Sequence, residues 1–436
     1  MESIWQKTAE APSFPSLEGD KKCDVLVIGG GLAGLLTAHR LTREGVRCVL
    51  VEADRICSHT TGNTTAKLTL QHGLIYNRII RKYGVERARA YLMANEAAIE
   101  DYRALSAEYD FDFKQRSAYV YTTDDVASLE REAAAYLRLG YAAQLVAHTE
   151  LPIATAMALR VDNQASIHPL KLCYALAREL EIYEGTRVRE LARGEAMCDR
   201  GRIRAEKIIV ATHFPILNKH GLYFLKQYQK RSYVLALEGV GELKGMYIDG
   251  SGDGLSFRSM GDTLLLGGGG HRTGARSSGW KTLEDFAEKH YTGAPIVAKY
   301  ATQDCITLDG VPYIGRYSAS TDGIYVATGF NKWGMSSSMV AASILTDAVL
   351  GRKSPYAETF SPSRSILHLS TLGNIFHSVK GLLTPTAPRC PHLGCALKYN
   401  RAEHSWDCPC HGSRFTEKGK LLDTPATGDL PAKKNK

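Results

Sequence analysis

The feature that most constrains the fold is a glycine-rich turn that joins an apolar run to a helical pattern. Val25–Ile28 is typical of a buried parallel strand, and Gly29, Gly31 and Gly34 follow it in GxGxxG spacing. The first glycine permits a tight turn, the second lets the backbone approach a pyrophosphate, and the third lets helix and strand pack closely. Glu52 ends the next apolar run, where a ribose hydroxyl acceptor is expected. The pattern predicts a dinucleotide-binding βαβ unit; a glycine-rich turn without a ligand is the alternative.

Length and composition place the chain among ordinary globular proteins. Its 436 residues are 44% hydrophobic and 23% charged, which excludes disordered, collagen-like and coiled-coil structures for most of the sequence. At about 150 residues per domain, this length predicts two or three domains. The net charge of +8 is too modest to indicate a nucleic-acid partner. No apolar run reaches the roughly 18 residues that span a bilayer, and the start of the chain has no secretory signal, so we expect a cytoplasmic protein without an integral membrane segment.

Further motifs follow the glycine turn in a fixed order. A polar loop spans 55–65, a strand enters a small-residue turn at 207–213, and two glycine-containing motifs occupy 309–315 and 329–336. Together these motifs make residues 22–352 resemble the D-amino-acid-oxidase-type FAD oxidoreductases, which include glycine, sarcosine and γ-glutamylputrescine oxidases. The resemblance implies FAD rather than NAD, and a final helix whose positive N-terminus faces the flavin pyrimidine.

The resemblance also assigns residues to the cofactor and to the substrate. Val188 matches the family position that lies against the adenine. The expected FAD contacts are Gly29, Gly31, Leu32, Ala33, Gly34, Glu52, Thr61, Gly62, Thr64, Thr65, Val188, Ala211, Thr212, Gly315, Gly329, Phe330, Asn331, Lys332, Trp333, Gly334 and Met335. The substrate-cavity candidates are Lys67, Tyr247, Arg258, His271, Arg272, Tyr313 and Lys332. Each candidate also has a structural or surface interpretation, and no general base is assigned.

Two features of this part of the chain leave alternatives open. The second glycine cluster, Gly267–Gly270, leads into no apolar helix, so we expect it beside the substrate cavity rather than at an NAD site. His59 lies in a stretch similar to one that links FAD covalently in some family members. A plain loop histidine is the simpler interpretation of His59.

Four of the ten cysteines crowd into a short C-terminal segment with two histidines. Cys390-x-His392 and Cys408-x-x-His411 each supply one thiolate and one imidazole. This spacing resembles the Rieske [2Fe–2S] pattern, in which two cysteines hold one iron and two histidines the other. A mononuclear Cys2His2 zinc site is the alternative. The likeness to the Rieske proteins of cytochrome complexes implies a disulfide between the two remaining cysteines, Cys395 and Cys410.

The fold class that follows is α/β, with an FAD-binding Rossmann-like domain, an interleaved α+β substrate domain and a small C-terminal β-rich Rieske module. We expect an irregular arm at the N-terminus and mostly helical structure over 75–150. The module is short and should lean on the flavin domain. The predicted boundaries are an arm at 1–21; the FAD-binding domain at 22–75, 155–222 and 300–352; the substrate domain at 76–154 and 223–299; a linker at 353–379; and the Rieske module at 380–436.

The two centres together indicate a function. A flavin takes two electrons as a hydride, whereas a [2Fe–2S] cluster carries one at a time. The combination favours a dehydrogenase that oxidises an amine or amino-acid-like substrate and passes single electrons to a carrier such as a ferredoxin-like protein. The alternatives are a reductase in which the cluster feeds the flavin, and a redox sensor without enzymatic activity.

Overall fold

The computed structural model describes residues 2–216, 220–252, 254–365, 381–385 and 388–431. Two large β-sheets and a small third sheet organise these residues. We refer to residues 2–365 as the main body and to residues 388–431 as the C-terminal module. Most of the predicted linker, from 366 onward, lies outside the described residues. The predicted fold class, an α/β body followed by a small β-rich module, is confirmed.

The first sheet is built around the glycine motif. Helix Leu32–Arg43 connects strand Lys21–Ile28 to strand Cys48–Val51, and the two strands run parallel as the βαβ prediction requires. These strands are buried, in keeping with their continuous apolar sequence. The strand order is Tyr313–Arg316, Ile324–Thr328, Gly201–Val210, Lys21–Ile28, Cys48–Val51 and Glu181–Tyr183, with Val188–Ala192 and Glu195–Cys198 attached to Gly201–Val210.

The second sheet has nine strands and faces the first across the interior. Its longest strands, Gln227–Leu237 and Ile296–Thr307, pair antiparallel. Alternate residues of a strand point to opposite faces of its sheet. The order is Ile296–Thr307, Gln227–Leu237, Thr263–Arg272, Ser256–Met260, Gly245–Asp249, Lys114–Thr122, Met157–Ser166 and Lys67–Leu68, with Gln144–Val146 beside Met157–Ser166.

Helices cover the sheets and complete the core. Helix Gly334–Leu350 packs against Leu32–Arg43 and Val85–Leu105, and its side chains are mostly buried. The other helices are Ile4–Thr8, Tyr76–Tyr83, Val126–Leu139, Pro169–Ala177, Tyr223–Lys226, Lys281–His290 and Ala357–Phe360, with a 3-10 helix at Thr60–Asn63. Among the described residues, no helix has the length and apolar character needed to cross a membrane.

One local expectation, an irregular N-terminal arm, is wrong. The N-terminal arm contains helix Ile4–Thr8, because the prolines that were expected to break a helix come after it. Trp5 of this helix is fully buried, and its indole Nε1 donates to the carbonyl oxygen of Thr64 over 2.7 Å. The stretch 75–150 is mostly helical, as predicted, and it also contains the strand Lys114–Thr122 of the second sheet.

The C-terminal module carries the third sheet and a small core of its own. Its antiparallel strands are Lys398–Asn400, Ser405–Asp407, Arg414–Thr416 and Leu421–Asp423. Buried ion pairs join it to the main body: Glu403 accepts from Arg231 of the main body and from Arg414 of the module. The module therefore leans on the main body, as its shortness predicts.

Candidate FAD cavity and cluster site

A cavity of about 780 Å³ lies between the two large sheets. Its volume falls within the roughly 300–1,000 Å³ range of ligand sites in proteins. The glycine turn forms one end, the loop after Glu52 covers it, and the start of helix Gly334–Leu350 forms the other end. The module also reaches the cavity through residues 421–427.

The glycine turn has the close packing that its spacing predicts. A Cβ added to Gly34 would lie 2.0 Å from the carbonyl oxygen of Gly29, so helix and strand touch through their backbones. Gly29 has a φ of 111°, and a Cβ there would lie 2.5 Å from the carbonyl oxygen of Ala211. The carboxylate of Glu52 accepts from the backbone N–H of Gly30 over 2.7 Å. This cradle fits a dinucleotide, because any side chain would fill the space that the backbone needs.

Most residues that the sequence assigns to FAD line this cavity. They are Gly29, Gly31, Leu32, Ala33, Glu52, Thr61, Thr64, Thr65, Val188, Ala211, Thr212, Gly329, Phe330, Asn331, Lys332, Trp333, Gly334 and Met335. Gly34, Gly62 and Gly315 do not line it: Gly34 packs the helix, and a Cβ on Gly62 would lie 2.4 Å from the Cys57 carbonyl oxygen. Individual contacts to FAD stay predictions.

The turn before helix Gly334–Leu350 is held in an unusual conformation. Asn331 and Lys332 both have positive φ, at 54° and 72°, which is uncommon for residues with side chains and frequent at functional sites. The Asn331 side-chain oxygen accepts from the backbone N–H of Thr307 over 2.8 Å. His72 stacks on Trp333 at 4.8 Å between ring centroids, and burial lowers the pKa of His72 to about 3. No sequence motif marks His72 as the neutral histidine that stacks on Trp333.

Two titratable side chains meet the cavity from different elements of the second sheet. Lys67 lies 3.2 Å from the Ser256 hydroxyl and 3.3 Å from the Thr65 hydroxyl, and burial together with nearby Arg258 lowers the pKa of Lys67 to about 7. Asp304 lines the cavity, and burial raises the pKa of its carboxyl to about 6. No hydrogen bond or ion pair of this carboxylate is found within the part of the chain that the structure describes.

The sequence analysis missed Asp304. The available signal was a lone acidic residue inside the strand pattern Ala301-Thr302-Gln303-Asp304-Cys305-Ile306. A charge in the middle of a largely buried strand is rarely there for stability alone.

The remaining substrate candidates do not line the cavity. The Tyr247 hydroxyl donates to Glu150, and the Tyr313 ring lies beneath the buried guanidinium of Arg364. Arg258 donates to the carbonyl oxygens of Thr65, Ala66 and Ile167, so it holds the backbone that carries Lys67. His271 stacks on Tyr233, and Arg272 donates to carbonyl oxygens of the C-terminal module. Lys67 and Lys332 are the candidates that border the cavity.

His59 lies at the cavity edge between the main body and the module. Its Nε2 is 2.9 Å from Asp54, and its Nδ1 is 3.9 Å from Asp423 of the module. Burial alone would lower the pKa of His59, but the bond to Asp54 and the charges of Asp423 and Glu52 raise it to about 9. The ring therefore carries a positive charge at neutral pH. The choice between a plain loop histidine, as predicted, and covalent attachment of FAD stays untested.

The cysteine–histidine segment forms a buried site in the module. The His392 and His411 rings lie 4.9 Å apart between centroids. Both ring nitrogens of His411 lack a hydrogen-bond partner among the described residues, although the residue is only 2% exposed. Hydrogen bonds from Cys390, Cys395 and Cys410 hold the pKa of the Cys408 thiol well below its usual range. Two sulfur and two imidazole donors, with a buried histidine left unpaired, fit a Rieske cluster.

The predicted disulfide between Cys395 and Cys410 is wrong. No disulfide bond joins any of the ten cysteines. The sulfurs of Cys395, Cys408 and Cys410 lie within 4.8 Å of one another, but no pair reaches the roughly 2.05 Å of a disulfide bond. These sulfurs pack as one group around Cys408 instead of pairing two by two.

Two neighbouring strands separate the cavity from the second ligand loop of the module, 408–412. We call Gln227–Leu237 and Ile296–Thr307 the wall strands. The alternate residues Gln229, Arg231 and Gln303 bond to the module. The cavity face carries Tyr228, Lys230, Ser232, Val234, Thr302, Asp304 and Ile306. The cavity and the module's second ligand loop therefore lie on opposite faces of one sheet.

Comparison with protein families agrees with this architecture. The profile of FAD-dependent oxidoreductases matches residues 24–348, well over half of the chain. The chain belongs to this family. A Rieske [2Fe–2S] domain profile matches residues 368–434. The chain is thus an FAD-dependent oxidoreductase with a C-terminal Rieske domain, and its cofactors are FAD and a [2Fe–2S] cluster.

Individual relatives share one or both parts. The "Putative Rieske 2Fe-2S iron-sulfur protein YhfW" of Bacillus subtilis (strain 168) is 36% identical over 492 aligned positions, covering 98% of this chain and 97% of that protein. The γ-glutamylputrescine oxidoreductase of Escherichia coli (strain K12) is 24% identical and covers 81% of this chain and 89% of its own. The crystal structure of glycine oxidase from Geobacillus kaustophilus has the same fold, with a TM-score of 0.65 at 19% identity, covering 79% of this chain and 100% of that one.

Proposed function

We propose that the protein is a dehydrogenase that oxidises the carbon–nitrogen bond of an amine or amino-acid-like substrate and delivers the electrons singly to an external carrier. FAD supplies hydride acceptance and the cluster supplies one-electron transfer. The observation that carries the proposal is the pair of wall strands, which border the cavity on one face and bond to the module on the other. The names of γ-glutamylputrescine oxidoreductase and glycine oxidase support a substrate with a carbon–nitrogen bond.

Asp304 is the side chain we propose to bind the substrate amine. Its carboxylate borders the cavity without a bonded partner among the described residues, so a cation entering there gains an ion pair. An amine must be neutral before its α-carbon gives up a hydride, and a carboxylate beside it takes the proton. A carboxyl whose pKa lies near 6 is charged at neutral pH and still basic enough for this task.

Lys67 is the side chain we propose to meet an anionic group of the substrate. Its amine borders the cavity and, among the described residues, donates hydrogen bonds to the hydroxyl groups of Thr65 and Ser256 alone. An anion placed beside a buried amine favours the protonated form and raises its pKa. A substrate carboxylate would therefore draw a proton onto Lys67 as it binds. The pair Lys67 and Asp304 suits a substrate that carries both charges.

The electrons must balance between substrate and carrier. The substrate loses one hydride and one proton and becomes an imine, which water hydrolyses. Two molecules of a one-electron carrier take the two electrons of the hydride for each substrate oxidised. Both protons, the one lost from the nitrogen and the one carried in the hydride, go to water. A ferredoxin-like protein is a carrier of this chemical class. We further propose a cytoplasmic location, because ten cysteines without a disulfide bond suit a reducing compartment.

The experiment that tests the function is an anaerobic mixing of the holoprotein with a panel of amines and amino acids. We expect the flavin absorbance to bleach and the EPR signal of a reduced Rieske cluster to follow. If no amine bleaches the flavin and a reduced ferredoxin does so through the cluster, the reductase alternative is correct. If neither reagent changes the flavin, the enzymatic proposal fails and the redox-sensor alternative gains support.

A further inference from the structure

The two ligand loops of the module are anchored in different ways. The first loop, 390–395, is closed by its own backbone, where the N–H of Cys390 donates to Cys395 and that of Gly394 donates to Cys390, both over 2.9 Å. The second loop, 408–412, has the matching backbone bonds, from the N–H of Cys408 to Ser413 over 2.8 Å and from that of Gly412 to Cys408 over 3.0 Å. Unlike the first loop, its carbonyl oxygens are also held by side chains of the main body.

Four successive carbonyl oxygens of this loop accept from the main body. Arg272 donates to those of Pro409 and Cys410. Gln229 donates to that of His411, and Gln303 donates to that of Gly412.

Two glutamines on the wall strands form the centre of this anchor. Gln229 Nε2 donates to the carbonyl oxygen of His411 over 2.9 Å, and Gln303 Nε2 donates to that of Gly412 over 2.8 Å. Gln303 also donates to the Gln229 side-chain oxygen over 2.6 Å. The Thr273 hydroxyl donates to the Gln303 side-chain oxygen over 3.0 Å. This bond orients the Gln303 amide so that its nitrogen faces the module. Both glutamines are almost fully buried, at 1% and 2% exposure.

The second loop is also seated at backbone contact distance. Gly412 has a φ of 91°, and a Cβ there would lie 2.6 Å from the Cβ of Gln229. A Cβ on Gly274 of the main body would lie 2.8 Å from Pro409. The loop that carries Cys408 and His411 is therefore closed by its own backbone and seated directly on the main body.

A continuous path of bonds links the cavity to this loop. Thr60 lines the cavity, and its hydroxyl donates to the backbone carbonyl oxygen of Gln303 over 3.0 Å. From there the path follows the Gln303 side chain to Gly412, which is bonded covalently to His411. The neighbours of Gln303 in sequence, Thr302 and Asp304, face the cavity.

We propose that Gln303, together with Gln229, is a positioning residue that fixes the second cluster loop against the wall strands, and that electrons cross between the cavity and the cluster through this loop. The inference rests on the proposed function, since it names the internal route of that electron transfer. One electron crosses at a time: the cavity side is oxidised by one electron, the cluster is reduced by one, and the external carrier then takes that electron before the next crosses.

The test reduces the flavin of the holoprotein photochemically, without any amine, and follows cluster reduction by absorbance and freeze-quench EPR. In Gln303→Leu we expect the cluster to be reduced about tenfold more slowly, the lower end of what losing a partner outside the ligand set costs. Iron content and the intensity of the Rieske EPR signal should match those of the unsubstituted protein. Gln144→Leu is the matched control, because Gln144 is an exposed glutamine on a distant strand of the same sheet.

Each outcome decides a separate question. If photoreduced flavin in the unsubstituted protein does not reduce the cluster, the proposed electron relay itself fails. If it does, and Gln303→Leu transfers at the unsubstituted rate, the route through the second loop is refuted.

If Gln303→Leu loses its cluster, the electron-transfer rate of a second variant, Thr273→Val, tests the route instead. That variant keeps both glutamines but frees the Gln303 amide to turn over. We expect it to slow the same step with the cluster intact, and an unchanged rate would overturn the inference.

Discussion

The FAD cavity and the cluster site are both deeply buried, but they reach that state by different means. The main body builds its cavity from two large sheets and a broad hydrophobic core, and its glycine turn packs backbone against backbone. The C-terminal module has four short strands and a core made largely of its own cysteines, with Leu397, Phe415 and Ala426. It completes its burial with ion pairs and glutamines that the main body supplies. A module too small to bury enough apolar surface by itself is stabilised by its contacts with the main body.

The largest expected effect tests whether the cavity is independent of the module. Cys408→Ser should abolish the cluster, because Cys408 is one of the two predicted thiolate ligands and is fully buried. The FAD content should stay near one per chain, because the main body packs without help from that residue. EPR and flavin absorbance on the same sample measure both quantities. Cys198→Ser, at a cysteine outside the site, should retain both cofactors, and loss of FAD from the Cys408 variant would contradict the comparison.

The next prediction tests whether the module depends on the main body. Arg231→Leu leaves Glu403 and Asp423 short of a buried cation, and removing one partner of a buried pair costs about 3–5 kcal/mol. We expect the free energy of unfolding to fall by an amount near the lower value, because Arg414 still contacts the carboxylates of both Glu403 and Asp423. Urea unfolding followed by tryptophan fluorescence measures the change. Arg193→Leu is the control: Arg193 is 82% exposed, and such surface pairs contribute about 0–1 kcal/mol. Equal effects of the two substitutions would refute the dependence.

A smaller effect is expected at the cavity face of the wall strands. Asp304→Asn removes a charged partner of the substrate amine, a loss of roughly 1.5–3 kcal/mol or about 10- to 100-fold in kcat/KM. Because the carboxylate must be charged to bind the amine, kcat/KM should rise with pH through about 6 in the unsubstituted enzyme. This rise of kcat/KM with pH should be absent from the Asn variant. If the variant keeps both the rise and the kcat/KM of the unsubstituted enzyme, Asp304 does not contact the substrate.

The smallest effect concerns the edge where the two regions meet. The pKa of His59 is raised to about 9 in the folded chain, above its unfolded value. The contribution of His59 to the free energy of unfolding is therefore fully present below about pH 6.5 and is lost as the pH rises through 9. The ring is partly exposed to solvent, which limits the contribution to about 1 kcal/mol or less. The melting temperature should fall more steeply between pH 7 and 10 in the unsubstituted protein than in His59→Gln, and identical slopes would contradict the prediction.

How far the sequence could anticipate this molecule depended on the range of each interaction. The glycine turn and the cysteine–histidine loops are local patterns whose chemistry is set by spacing, so Gly29 to Gly34 and the cluster segment were identifiable from the chain alone. Asp304 and Gln303 owe their roles to strand pairing over long sequence separations, and their residue types carry no motif. The disulfide expectation failed because a pattern in related loops says nothing about how three sulfurs pack in this one.

The buried indole of Trp5 gives the molecule a built-in optical reporter. Trp5 is bonded to Thr64, a residue of the cavity lining, whereas Trp406 belongs to the small sheet of the module. An indole in a dry environment emits at shorter wavelength than one in water, and a yellow chromophore nearby absorbs that emission. Three of the four tryptophans, Trp5, Trp280 and Trp333, belong to the main body, and Trp406 belongs to the module. Tryptophan emission during unfolding or cofactor loading therefore reports chiefly on the main body, and a Trp406→Phe variant isolates the module's share.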